Sequence, residues 1–120
     1  MANLPPLVND IAVYLFICLA LTYLLWVLFL AMMNLKRVNN AGLLTKPVLI
    51  LGIPLLIVGH IVDAVINWTA MTLILFELPQ ELTVTARLRR HNKKSSGWRK
   101  KVAQWFEPLL DPFDPSGDHI

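Results

Sequence analysis

IAVYLFICLALTYLLWVLFLAMM, Ile11 to Met33, is a run of 23 residues without a charge. About 20 apolar residues suffice to cross a hydrocarbon core of about 30 Å, so the run predicts a transmembrane helix. Asn9 or Asp10 stands where a side chain can accept from the first free amide groups, and Tyr14, Tyr23 and Trp26 supply amphipathic rings. Upstream, Met1 to Asp10 carries no Lys or Arg, and the apolar run exceeds what a signal-peptide core needs, so a cleaved signal is not expected.

The rest of the composition agrees with lipid as the solvent. Of 120 residues, 56% are apolar and 16% charged, against about 25% charged in soluble domains. All eleven Lys and Arg lie at or beyond Lys36, and eight fall between Arg87 and Lys101. A basic block just after membrane segments suits anionic headgroups. The single Cys18 excludes an intramolecular disulfide and a thiol-built metal site.

Asn34 to Pro47 is polar and turn-rich and predicts a short connector, with Pro47 in the first turn of the next helix. Val48 to Phe76 is then 29 residues, roughly 44 Å as a helix, too long for a simple span. Either a second span ends near Asn67 and residues 68–78 run along the interface, or the segment breaks at Gly52, Pro54 or Gly59 into a re-entrant hairpin. The positive-inside rule admits both and is satisfied more completely by the re-entrant form. Two spans place both termini in the cytoplasm; re-entrance puts loop and tail together inside and the N-terminus outside. We prefer two spans, because membrane helices commonly accommodate one Pro. The expectation is an all-α membrane protein: a two-span helical hairpin over residues 1–78, with spans near 11–33 and 48–67, and a short amphipathic cytoplasmic tail over 79–120.

Within the tail, Leu78 to His91 predicts a helix opened by Pro79, with Gln80 and Glu81 at its positive end, although Leu82, Val84, Ala86 and Leu88 also alternate as in a strand. Ser96 can cap a second helix from Gly97 or Trp98 to about Glu107, ended by Pro108. That helix gathers Trp98, Val102, Trp105 and Phe106 on one face, the pattern of an in-plane interfacial helix. Arg87, Arg89, Arg90, Lys93, Lys94, Trp98, Arg99, Lys100, Lys101 and Trp105 are therefore the expected membrane-surface anchors. Nucleic acid is a weaker partner, since no nucleic-acid fold accompanies the basic block.

His60, Asp63 and Asn67 recur at helical spacing and share one face of the second segment. Ionisable groups at membrane depth suggest a water-lined or proton-conducting face. The plainer reading weighs more: Asp63 and Asn67 reach water or headgroups at the span's end, and His60 and Asp63 satisfy each other across one turn. Asp111, Phe113 and Asp114 lie in a string of turns and form a candidate recognition end. Ligand spacings match neither calcium nor zinc patterns, and no nucleophile–base pair or phosphate loop occurs, so no metal or cofactor is expected and an enzyme is the least supported class.

Leu78-Pro79-Gln80-Glu81, Thr85-Ala86-Arg87-Leu88-Arg89-Arg90-His91, Gly97-Trp98-Arg99 and Leu110-Asp111-Pro112-Phe113-Asp114-Pro115-Ser116-Gly117 resemble a group of small membrane proteins of tailed bacteriophages and prophages. The likeness covers under half of the chain. That group often ends His-Cys where this chain has His119-Ile120, so no role for a terminal thiol carries over. The resemblance implies a bacterial inner membrane and no particular activity. In size, topology and tail charge the chain is also similar to holins, which oligomerise into membrane holes during lysis. The competing expectations are an interaction protein whose tail binds a host or phage component, for instance in superinfection exclusion, and a small subunit of a membrane complex. Expected partners are an anionic bilayer and either further copies of the chain or a membrane protein.

Overall fold

The computed structural model describes Asn3 and residues 5–120. Five helices follow in order: α1 Pro6–Asn40, α2 Lys46–Trp68, α3 Ala70–Leu75, α4 Val84–Lys94 and α5 Trp98–Leu110, with a 3-10 turn at Asp111–Phe113. No strand occurs among the described residues, so the alternating residues near Leu82 belong to a bend and to α4.

α1 has 35 residues, roughly 52 Å, and runs past Met33 into the expected connector. Lys36, Arg37 and Leu35 favour helix, and nothing stops the chain before Gly42. There the backbone turns left-handed (φ 70°), Leu43 N–H donates to Val38 O at 3.1 Å and Gly42 N–H to Asn39 O at 3.0 Å. This is the Schellman ending that glycine permits. The connector thereby shrinks to Ala41–Thr45, and Pro47 enters the first turn of α2 as expected.

α2 runs unbroken through Gly52, Pro54 and Gly59, so the break that the re-entrant alternative placed there is not found. The chain breaks instead at Thr69 (φ −106°, ψ −85°). α2 packs on α1, and both α1 and the apolar segment Lys46–Leu75 are long and apolar enough to cross a membrane. Gly52 and Gly59 are buried at this contact. A Cβ on Gly59 would stand 2.9 Å from Met32 Sδ, and one on Gly52 would stand 2.8 Å from Leu35 Cδ2. Gly59→Leu should therefore lower the stability of the hairpin by about 1–3 kcal/mol, read as a lower thermal midpoint in detergent micelles. Gly59→Ala should cost much less, because the Met32 thioether can turn aside.

The tail folds back against this hairpin. α4 begins at Val84 rather than at Pro79, because Thr83 is its cap: Ala86 N–H donates to the Thr83 hydroxyl at 3.1 Å. α5 starts after Gly97 without a side-chain cap, so Ser96 does not cap it, and it passes Pro108 to end at Leu110. Leu28, Val62, Ile66, Met71, Leu75, Leu88, Ala103 and Ile120 form one core shared by hairpin and tail. Val102 and Phe106 turn toward that core, while Trp98 and Trp105 stay exposed.

Candidate functional site

The break at Thr69 takes the last carbonyls of α2 out of helical pairing, and a buried carbonyl needs another donor. Arg87 supplies it. One terminal nitrogen donates to Asn67 O at 2.7 Å, to Asn67 Oδ1 at 3.4 Å and to Thr72 Oγ1 at 3.3 Å, and the other donates to Glu77 O at 2.5 Å. The side chain is fully buried (0% exposed). Arg87 therefore does not meet headgroups, contrary to the expectation for the basic block; it ties α4 to the end of α2. Asn67, also fully buried, donates to Glu81 O at 2.6 Å from the same junction.

Glu77 is the centre of charge. Its carboxylate lies 2.7 Å from an Arg90 terminal nitrogen, 2.5 Å from His91 Nε2, 3.4 Å from Arg87 Nε and 3.9 Å from Arg99 Nε. Burial pushes this carboxyl up, but the hydrogen bonds from His91 and Arg90 outweigh it and hold it down to about 2. Arg90 also pairs with Glu81, and that bond raises the guanidinium further. Arg90 is thus spent inside the protein rather than on lipid. Arg99 caps α3, donating to Leu75 O at 2.9 Å and to Phe76 O at 3.3 Å while lying over the Trp98 ring.

A second junction binds the end of the tail to α1. Lys36 Nζ donates to both Asp114 oxygens, at 2.9 and 3.2 Å, and His119 Nδ1 lies 2.8 Å from Asp114 Oδ2. His119 Nε2 stands 2.9 Å from Thr85 Oγ1. Burial raises the Asp114 carboxyl, but Lys36 and His119 together hold it well below the usual range. Asp111 accepts from the backbone of His119 and Ile120 at 2.8 and 3.0 Å, and Phe113 meets the edge of Trp26 at 5.5 Å. Asp111 and Asp114, expected to recognise a partner, are therefore engaged within the chain. Phe113 keeps part of its ring exposed.

The stripe on α2 is divided among different tasks. Asp63 Oδ1 accepts from Val84 N–H at 2.7 Å and so helps to start α4. Asn67 belongs to the Arg87 junction, and exposed His60 keeps Nδ1 at 2.7 Å from Leu56 O on its own helix. His60 and Asp63 form no hydrogen bond with each other, so the mutual pairing expected of them is not found, and Asp63 and Asn67 reach the tail instead of headgroups. No buried side-chain nitrogen or oxygen among the described residues lacks a partner. Of the remaining expected anchors, Arg89 is exposed and donates to His119 O at 2.6 Å. Lys93, Lys94, Lys100 and Lys101 enter no ion pair among the described residues.

Beside these junctions an open groove of about 980 Å³ runs between α1, α2, α3 and the tail, touching Cys18, Trp26, His60, Leu73, Trp105 and His119. Glu77, Lys36, Thr72, Thr85, His91 and His119 are the participants that sequence reasoning missed. Glu77 carried a signal: it is an isolated acid directly after an apolar segment, 10 to 14 residues before Arg87, Arg90 and His91. No protein-family model, curated protein or solved structure matches the chain.

Proposed function

We propose that this chain is a membrane-anchored interaction protein of phage type, resident in the bacterial inner membrane, whose folded tail presents a fixed surface to a host or phage component. The observation that carries this reading is the double junction between tail and hairpin. Asp63 and Asn67 are committed to holding the tail, whereas a holin-like pore would need them turned toward water as subunits associate. A tail held by a buried Arg and two carboxylate centres is also more than an electrostatic anchor requires.

Expression of the chain alone in bacteria, with a potential-sensitive dye and a phage challenge, tests the proposal. The protein should fractionate with membranes, leave the membrane potential and growth intact, and either reduce infection or co-purify with a stoichiometric partner. An abrupt collapse of potential that Asp63→Leu or His60→Leu abolishes would replace this reading with the holin one.

A further inference from the structure

α1 carries the tail on the half nearest the loop. Phe113 meets Trp26, His119 packs edge-on to Phe29 with centroids 4.8 Å apart, and Asp114 pairs with Lys36. Lys36 stands five residues before Ala41, about 7 Å of helix. At the other end, Leu7, Val8, Ile11, Val13, Tyr14 and Phe16 are all exposed, and the shared core begins only at Leu21. A hairpin that crosses twice would bring the tail back to the N-terminal end of α1, with the loop a membrane thickness away. The contacts run the other way.

We infer that the loop Ala41–Thr45 and the tail occupy one surface of the membrane, that the N-terminus lies on the opposite side, and that α1 is the single crossing. This rests on the membrane-anchored reading above and replaces the two-span topology expected from sequence. α1, roughly 52 Å long against a core of about 30 Å, crosses obliquely. α2 ends at Asn67 and Trp68, where Asp63 and Asn67 hold the tail, so in this arrangement it is embedded from that surface without traversing. Ile50, Leu51, Ile57 and Ile61 are its most exposed aliphatic side chains and in this arrangement face lipid. The arrangement places all eleven Lys and Arg on one side and none on the other, the fullest compliance with the positive-inside bias. Arg37 and Lys46 at the loop, with Lys93, Lys94, Lys100 and Lys101 on the tail, then form one basic face whose occupant is the anionic headgroup layer of the cytoplasmic leaflet.

Single cysteines at Asn3, Asn40 and Lys94 in a Cys18→Ala background, probed with a membrane-impermeant maleimide in cells with a permeabilised outer membrane, decide the topology. Asn3→Cys should label in intact cells, whereas Asn40→Cys and Lys94→Cys should label only after lysis, at least tenfold more than before it. Labelling of Asn40→Cys from outside, with the other two protected, overturns the inference and leaves the membrane anchor standing. Labelling of all three without lysis overturns it too, and a chain then found in the soluble fraction would show that the anchored reading itself has failed. For the headgroup layer, trypsin should cleave the tail of the full chain, reconstituted tail-outward, several-fold more slowly in phosphatidylglycerol vesicles than in phosphatidylcholine vesicles. Equal rates overturn that part.

Discussion

Arg87→Met releases the tail from the hairpin. The substitution keeps an unbranched side chain of similar length but removes every donor from a site with no access to water, leaving Glu77 O without its partner and Asn67 O with only the Thr72 hydroxyl. Breaking a buried charged junction by deleting one member costs about 3–5 kcal/mol, and the Glu77 carboxylate also loses a neighbouring cation. The expected result is rapid tryptic cleavage within residues 84–120 of the reconstituted protein, together with a broad distance distribution between spin labels at Arg37 and Ser116. Arg87→Lys should not restore the wild-type pattern, because one ammonium group cannot reach acceptors on both sides of the Thr69 break as a planar guanidinium does. A narrow, wild-type distribution in Arg87→Met would mean that the apolar packing of Leu75, Leu88 and Ala103 and the Lys36–Asp114 junction hold the tail without Arg87.

Acid opens the same junction in a defined window. Glu77 is ionised in the folded protein down to about 2, against an ordinary 4.5. A carboxyl lowered by folding contributes stability that is complete above its unfolded value and declines as pH falls toward its folded value. Its contribution, of order 3 kcal/mol, should therefore hold at pH 6, begin to fall near 4.5 and be gone near 2. Asp114, lowered from an ordinary 3.8 by Lys36 and His119, weakens the second junction over the lower part of that range. The distance between labels at Arg37 and Ser116 should stay constant from pH 7 to 5 and lengthen progressively below 4.5. In Glu77→Gln the tail should already be loosened at pH 7, and the remaining acid response should shift downward to the range of Asp114.

Both predictions concern residues whose role the sequence conceals. Hydropathy is a sum over neighbours, and for Ile11–Met33 or the apolar run after Pro47 that sum is large enough to predict a helix long and apolar enough to cross a membrane. Local stereochemistry was legible as well: Pro47 entered the first turn of α2, and the tail divided into two helices near the expected places. Boundaries moved wherever one local signal outranked another. Gly42, able to adopt positive φ, ended α1 in place of the polar residues from Asn34 onward, and Thr83, a hydroxyl cap, started α4 in place of Pro79.

The charged residues of the tail escaped the same reasoning. Arg87, Arg89, Arg90, Lys93 and Lys94 look alike in a basic block, and any of them would ordinarily be solvated. Their fates separate only because the turn over residues 76–83 folds α4 back onto the end of α2. Arg87 then faces carbonyls 20 and 10 residues earlier, Arg90 faces Glu77 and Glu81, and Lys93 and Lys94 are left outside.

The apolar run Ile11–Met33, with every cation placed after it, is therefore enough to predict a helix suited to lipid, since transfer free energy accumulates residue by residue along the chain. The tertiary structure alone decided which polar groups would be spent inside the protein. Hydrogen bonds and ion pairs between residues 10 to 78 positions apart depend on where the chain returns, and it returned to the loop-ward half of α1 rather than to the end where α1 begins.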